Sequence, residues 1–137
     1  MSLVLDCSVV AAWVFADETT EAVKQVFEQL CDSAGWVPSL WRLEVGNVLE
    51  MSVRRGRCDR AFLAATLTDL EQLPIKEDSE TYVRAWGDTL GLASRHKLTT
   101  YDAAYLELAI RRGLPLATLD NELRIAAKLE SVPLLGI

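Results

Sequence analysis

Residues 3–8 read Leu3-Val4-Leu5-Asp6-Cys7-Ser8: an unbroken apolar run, a carboxylate, then a hydroxyl suited to starting a helix. A short run with no polar alternation is the signature of a strand buried on both faces. Such strands belong to parallel sheets, where each strand leads into a covering helix. Ser8 is an acceptable N-cap for a brief helix through Val9 to Val14. The same grammar returns near the other end, where Leu116-Ala117-Thr118-Leu119-Asp120 precedes a helical stretch from Asp120 to Leu129.

Between these two units the pattern keeps alternating. Asp17-Glu18-Thr19-Thr20 opens a helix with Ala22, Val23, Val26, Phe27 and Leu30 on one face. Trp36-Val37 is strand-like, and Ser39 begins a helix that Gly56 stops. Asp59 caps a helix carrying Ala61, Leu63, Leu67 and Leu70. Pro74-Ile75 is a short strand, and Asp78 or Ser79 begins a helix reaching about His96. A helix from Asp102 to Arg112 is stopped by Gly113, and Val132-Pro133-Leu134-Leu135 forms a last strand. Short strands alternating with helices predict an α/β fold, a three-layer sandwich with a short-stranded, mainly parallel central sheet. The 137 residues suit one domain spanning residues 1–137, with no repeat or flexible linker.

Four acids occupy equivalent places in this pattern: Asp6, Glu44, Asp102 and Asp120. Asp6 and Asp120 follow short apolar runs. Both therefore belong at the carboxyl edge of the sheet, where open α/β sheets bind ligands. Glu44 and Asp102 lie near helix N-termini, where the helix dipole favours negative charge. If those N-termini face the same edge, the four carboxylates converge. Taken singly, each acid reads equally as a helix cap or a solvated charge; it is their joint placement that points to a metal site. Like charges raise each other's pKa, and a divalent cation relieves the conflict. An oxygen-only donor set suits Mg²⁺ or Mn²⁺ rather than zinc. Such an ion, with an activated water, supplies what phosphodiester hydrolysis requires. Ser8, Thr118 and Asn47 are placed to orient the acids or the water, Asn47 lying one helical turn beyond Glu44.

The net charge of −6 argues at first against a nucleic-acid partner. A bound cation would offset part of it, and ten of the fourteen basic residues are arginine, the better bidentate phosphate ligand. Arg54, Arg55 and Arg57 form the best candidate RNA-contacting patch, with a solvated helix end as the alternative. Arg54 lies roughly 15 Å along its helix from Glu44. His96, beside Arg95 and Lys97, is expected to be solvated rather than a general base, which leaves water activation to metal and carboxylate. Glu107 points away from Asp102 and is expected at the surface or in a salt bridge. Trp13, Trp36, Trp41 and Trp86 are expected in the core or at an interface. Three widely spaced cysteines suggest reduced thiols and a cytoplasmic protein. No export signal or membrane span is evident.

Four stretches then carry a resemblance: residues 4–9, 38–49 (Pro-Ser-Leu-Trp-Arg-Leu-Glu-Val-Gly-Asn-Val-Leu), 98–109 (Leu-Thr-Thr-Tyr-Asp-Ala-Ala-Tyr-Leu-Glu-Leu-Ala) and 115–120. In order and spacing they resemble the successive motifs of PIN-domain ribonucleases, most closely the VapC toxins of toxin–antitoxin pairs. The resemblance implies that Asp6, Glu44, Asp102 and Asp120 are the acidic metal-site residues, with Ser8 and Thr118 as their polar companions. It also implies cleavage of single-stranded or loop RNA with Mg²⁺ or Mn²⁺, a homodimer, and a cognate antitoxin whose basic side chain enters the acidic groove. A PIN-like module that has lost catalysis and only binds RNA or protein is the alternative. A haloacid-dehalogenase-like phosphatase ranks last, because its chemistry wants an Asp where Ser8 stands.

Overall fold

The computed structural model describes all residues 1–137. Five short strands, β1 (Leu3–Leu5), β2 (Gly35–Val37), β3 (Ile75–Glu77), β4 (Leu116–Ala117) and β5 (Leu134–Leu135), form one sheet in the order β3-β2-β1-β4-β5. Every pairing is parallel, so the sheet is entirely rather than mainly parallel. β1 is the central strand, and Leu3, Val4 and Leu5 are wholly buried, as an all-apolar run requires. Fully burying a leucine or valine contributes about 1.5–3 kcal/mol, which makes this tripeptide an anchor for its neighbours.

Helices α1 (Cys7–Val14), α2 (Glu21–Asp32), α3 (Trp41–Arg54), α4 (Arg60–Glu71), α7 (Thr100–Arg112) and α8 (Asn121–Leu129) supply most of the covering layers. α7 is the most deeply set, with Ala103 through Ala109 all buried. Its start is capped by Thr99, whose hydroxyl accepts from the Asp102 backbone N–H. Gly113 ends it at φ 64°, a left-handed conformation that glycine adopts without steric cost. Gly35 answers a different need: a Cβ there would lie 2.7 Å from Leu30 Cδ1, so any larger residue would force that buried leucine on α2 to shift.

The stretch expected as one helix to His96 is divided. α5 (Thr81–Arg84) passes through a π-helical turn at Ala85–Thr89 into α6 (Leu90–His96), and Gly87 departs from helical geometry at φ −106°, ψ −107°. Glycine inside a helix weakens it by about 1 kcal/mol relative to alanine, so the chain bends where resistance is least. Two further expectations are corrected here. His96 is not solvated: its ring is largely buried and its Nε2 lies 2.9 Å from Glu130. Ser8 does not cap α1, whose N-cap is Asp6; the hydroxyl turns back to the Asp6 carboxylate instead.

Candidate metal centre

The strand order places β1 and β4 side by side, with Leu5 opposite Ala117. Asp6 and Thr118 therefore leave the sheet together at its carboxyl edge. Thr118 is fully buried and donates to Asp6 Oδ2 at 2.7 Å. Ser8, from the first turn of α1, donates to the same oxygen at 2.7 Å. The Thr118 hydroxyl in turn accepts from the Asp120 backbone N–H, and the Ser8 hydroxyl accepts from that of Leu119. One carboxylate oxygen is thus fixed by two hydroxyls that are themselves fixed by the backbone after β4. Asp6 Oδ1 has no hydroxyl partner.

Glu44 sits in the first turn of α3 and meets a residue that sequence reasoning assigned no role. The Tyr105 hydroxyl, carried inward on α7 with its side chain fully buried, donates to Glu44 Oε1. Tyr105 is three residues after Asp102, so one helix face presents both; that spacing was the available signal. Asp102 stands half-exposed in the first turn of α7. Asp120 caps α8 by accepting from the Leu123 backbone N–H at 2.9 Å, and so serves the helix as well as the cluster.

Electrostatics tie the four together. Burial raises the pKa of Asp6, the Ser8 and Thr118 hydrogen bonds pull it back, and the charge of Asp120 raises it further. Glu44 is raised by burial against the opposing Tyr105 bond, with Asp6 and Asp102 adding to the rise. Asp102 is pushed up to about 6 by burial and by the charges of Asp120, Asp6 and Glu122. Glu122, in the first turn of α8, was also missed; its position two residues after Asp120 was the clue. Burial, with Asp6 and Glu44 adding to it, pushes the Cys7 thiol up to about 12, which keeps it neutral and inert.

The four acids are thus linked: Asp6 and Asp120 each act on two of the others, and Asp102 acts on Glu44. They do not form a closed chelate: no three Asp, Glu, His or Cys side chains stand close enough to enclose an ion alone. A cation that keeps several of its waters, as Mg²⁺ does, suits an open set of oxygen donors with unrelieved like charge. The carboxylates such a cation would meet are those of Asp6, Glu44, Asp102 and Asp120, spread more widely than a closed site.

The remaining candidates lie apart from this centre. Asn47 is exposed and makes no hydrogen bond to the acids. Arg54 and Arg55 are exposed, whereas Arg57 is engaged by Asp17 at 2.7 Å and Glu18 at 2.9 Å and lies over the Phe15 ring. Glu107 is buried and ion-paired with Arg111 at 2.7 Å, in a network that also holds the buried Asp78. Trp41 is buried, Trp13 stacks on Phe27, and Trp36 lies under Arg112. Trp86, by contrast, is 92% exposed and no part of the core.

The model of the PIN domain matches residues 3–129. Ribonuclease VapC3 of Pyrobaculum aerophilum is 32% identical over 123 residues, covering 90% of this chain and 92% of that protein. A crystal structure of a Pyrobaculum aerophilum protein superposes with a TM-score of 0.70 at 25% identity, over 98% of this chain and 83% of that one. VapBC2 from Rickettsia felis, solved bound to a DNA fragment from their promoter, superposes at 0.67 with 14% identity, covering 98% and 97%; at that identity the likeness is one of fold. No helix is long and apolar enough to cross a membrane.

Proposed function

The chain belongs to the PIN-domain family, and from that membership and its crowded acids we propose that it is a metal-dependent endoribonuclease, the toxin of a toxin–antitoxin pair. The observation that carries this is Asp6: a buried carboxylate whose one oxygen is held by Ser8 and Thr118 while Glu44, Asp102 and Asp120 surround it with like charge. A structural aspartate so placed would be matched with a base. None is present, so the charge is kept for a cation.

When bound, Mg²⁺ or Mn²⁺ supplies charge neutralisation at the scissile phosphate and acidifies a water. The chain's own residues do the rest. Ser8 and Thr118 hold Asp6 in one orientation, and Tyr105 holds Glu44. Asp102 is raised to about 6 by burial and by its acidic neighbours in the metal-free protein; a bound cation would lower it and leave its carboxylate ionised as a ligand near neutral pH. The single histidine is occupied by Glu130, which leaves the carboxylates as the proton acceptors.

The partners follow from the same charge. RNA is the substrate, with Arg54 and Arg55 the free cations on the helix that begins near Glu44. A cognate antitoxin would place a basic side chain among the acids and take the position of the cation; a fold like this one occurs in the VapBC2 structure. The three free cysteines accord with a cytoplasmic site of action, and the working form is a homodimer.

Incubating the purified protein with RNA and Mn²⁺ tests the proposal. Cleavage is expected from the wild type, none with a chelator, and none from Asp6→Asn or Asp102→Asn at unchanged melting temperature or above. Cleavage by either variant at the wild-type rate would sink it.

A further inference from the structure

Two large apolar side chains stand in the open beside the acids, each one residue before one of them. Tyr101, before Asp102 on α7, is 63% exposed, and Leu43, before Glu44 on α3, is 78% exposed. Helical spacing fixes where the tyrosine ring lies. Tyr101 is four residues before Tyr105, so it shares the face of α7 that reaches Glu44, one turn nearer the helix start. At about 100° per residue, Tyr101 and Asp102 project to either side of Tyr105's direction. Helix side chains lean toward the N-terminus, which carries the ring outward past the Glu44–Tyr105 bond. Leu40 holds the matching place on α3, four residues before Glu44, and packs against the core. No other exposed aromatic ring has such a position. Phe62 lies on α4, Tyr82 on α5 and Trp86 in the π turn, none of which carries one of the four acids.

We propose that the Tyr101 ring stacks on the base of the nucleotide whose phosphate sits at the acidic centre, which makes it a substrate-binding residue. The inference rests on the ribonuclease reading and adds to it the group that holds a base. A cation among the acids attracts a phosphate, and a phosphate brings its base with it. The ring stands beside Asp102 and one helical turn, about 5.4 Å, above the Glu44–Tyr105 bond, a span that a ribose bridges. Charge gives stacking its importance here. Counterion release is the usual source of RNA affinity, and a chain of net charge −6 has little of it to offer. Stacking on an aromatic face adds affinity without any charge, and every base has a face to offer. It also selects unpaired RNA, because only an unstacked base can reach the ring. The tryptophans are not available for this duty: Trp41 is buried and Trp13 is stacked on Phe27.

Fluorescence anisotropy with a labelled single-stranded RNA of about 10 nucleotides tests this on the full chain, with Ca²⁺ in place of Mn²⁺ to hold cleavage back. Tyr101→Ala is expected to weaken binding about 5–150-fold, the effect of losing one stacked base, with the salt dependence unchanged. Tyr101→Phe keeps the ring and is expected to restore most of that affinity. Both variants should melt with the wild type, because the ring is two-thirds exposed, and should bind Mn²⁺ as the wild type does by calorimetry. Wild-type RNA affinity in Tyr101→Ala would overturn the stacking role, turn the ring toward a protein partner and leave the ribonuclease proposal intact. A loss shared equally by Tyr101→Phe, or a loss of Mn²⁺ affinity in Tyr101→Ala, would also overturn it, since the ring face would then not be what the RNA reads. A wild-type chain that binds no RNA would overturn the stacking and the ribonuclease reading together. One that binds RNA through Tyr101 and does not cleave it with Mn²⁺ would uphold the stacking and sink the nuclease alone, so the two failures are distinguishable.

Discussion

Tyr105, with no part of its side chain in solvent, donates its hydroxyl to Glu44 across the gap between α7 and α3. Burial first, and then this bond, drive the tyrosine pKa well above its ordinary value, so the phenol stays a neutral donor at any physiological pH. It therefore fixes Glu44 in the orientation in which the carboxylate faces Asp6 and Asp102. Tyr105→Phe keeps the ring and removes only this bond. Mn²⁺ affinity measured by calorimetry should fall about 10–100-fold, the usual cost of losing a group that orients a ligand. A lower melting temperature with unchanged affinity would show that Tyr105 serves only the core.

Thr118 and Ser8 share a single oxygen of Asp6. Thr118→Val keeps the buried shape and leaves that oxygen with Ser8 alone. The Asp6 pKa, already raised by burial, should rise further, and the onset of Mn²⁺ binding should move to higher pH. Ser8→Ala acts in the same direction. Stability of the metal-free protein should fall by about 1–2 kcal/mol in the threonine variant, because a buried hydrogen bond to a carboxylate is lost. Unchanged pH dependence of Mn²⁺ binding in both variants would remove the hydroxyls from the site.

The pH dependence of stability has a definite sign. Asp6, Glu44 and Asp102 are all raised in the folded protein, so the native state holds their protons more tightly than the unfolded chain. Their contribution is present in full below about pH 4 and is lost as pH rises through the folded values, near 6 for Asp102. Asp78 works in the opposite sense. Burial alone would raise it, but Arg111 and Arg112 more than offset this and hold it low, so its contribution is lost only in stronger acid. The metal-free protein should therefore lose stability between pH 4 and pH 7. Asp102→Asn should raise its melting temperature at pH 7. The gain is about 1 kcal/mol, or roughly 3–5 °C, since solvent screening at this half-exposed side chain trims the full effect. Thermal melts with a chelator check the sign, and saturating Mn²⁺ should reverse it.

The arginines separate into two kinds. Arg57 ties the turn after α3 to Asp17, Glu18 and the face of Phe15, so Arg57→Ala should cost stability, about 0.5–1 kcal/mol. Arg54 and Arg55 are free of such duties. Replacing either by alanine should leave the melt unchanged and reduce the salt dependence of RNA binding by about one counterion. An unaltered salt slope in both would place the RNA elsewhere.

Much of this was legible because the sequence states it locally. Leu3-Val4-Leu5-Asp6 names a buried strand and the edge where it ends. Asp59 caps its helix through the Phe62 backbone N–H, and Gly113 stops α7, both as expected from residue type. The four acids were readable because each follows a strand or opens a helix. What stayed hidden depends on partners distant in sequence. Tyr105 has no evident role until α3 is placed opposite it. His96 reads as solvated until Glu130, on the turn after α8, is folded against it. The break at Gly87 was hard to foresee because a lone glycine is tolerated in most helices. Trp86, expected in the core or at an interface, lies outside the core for a related reason: periodicity marks an apolar face but does not say whether that face packs inward.

The most direct measurement is a calorimetric titration of Mn²⁺ into the wild type and into Asp6→Asn at pH 7. Saturable binding by the wild type, absent or weakened by at least about 100-fold in a variant that melts at or above the wild-type temperature, is the expected result. Wild-type protein that takes up no Mn²⁺ at millimolar concentration, or a variant that binds it equally well, would contradict the assignment of these acids to a metal centre and leave a non-catalytic binding module in its place.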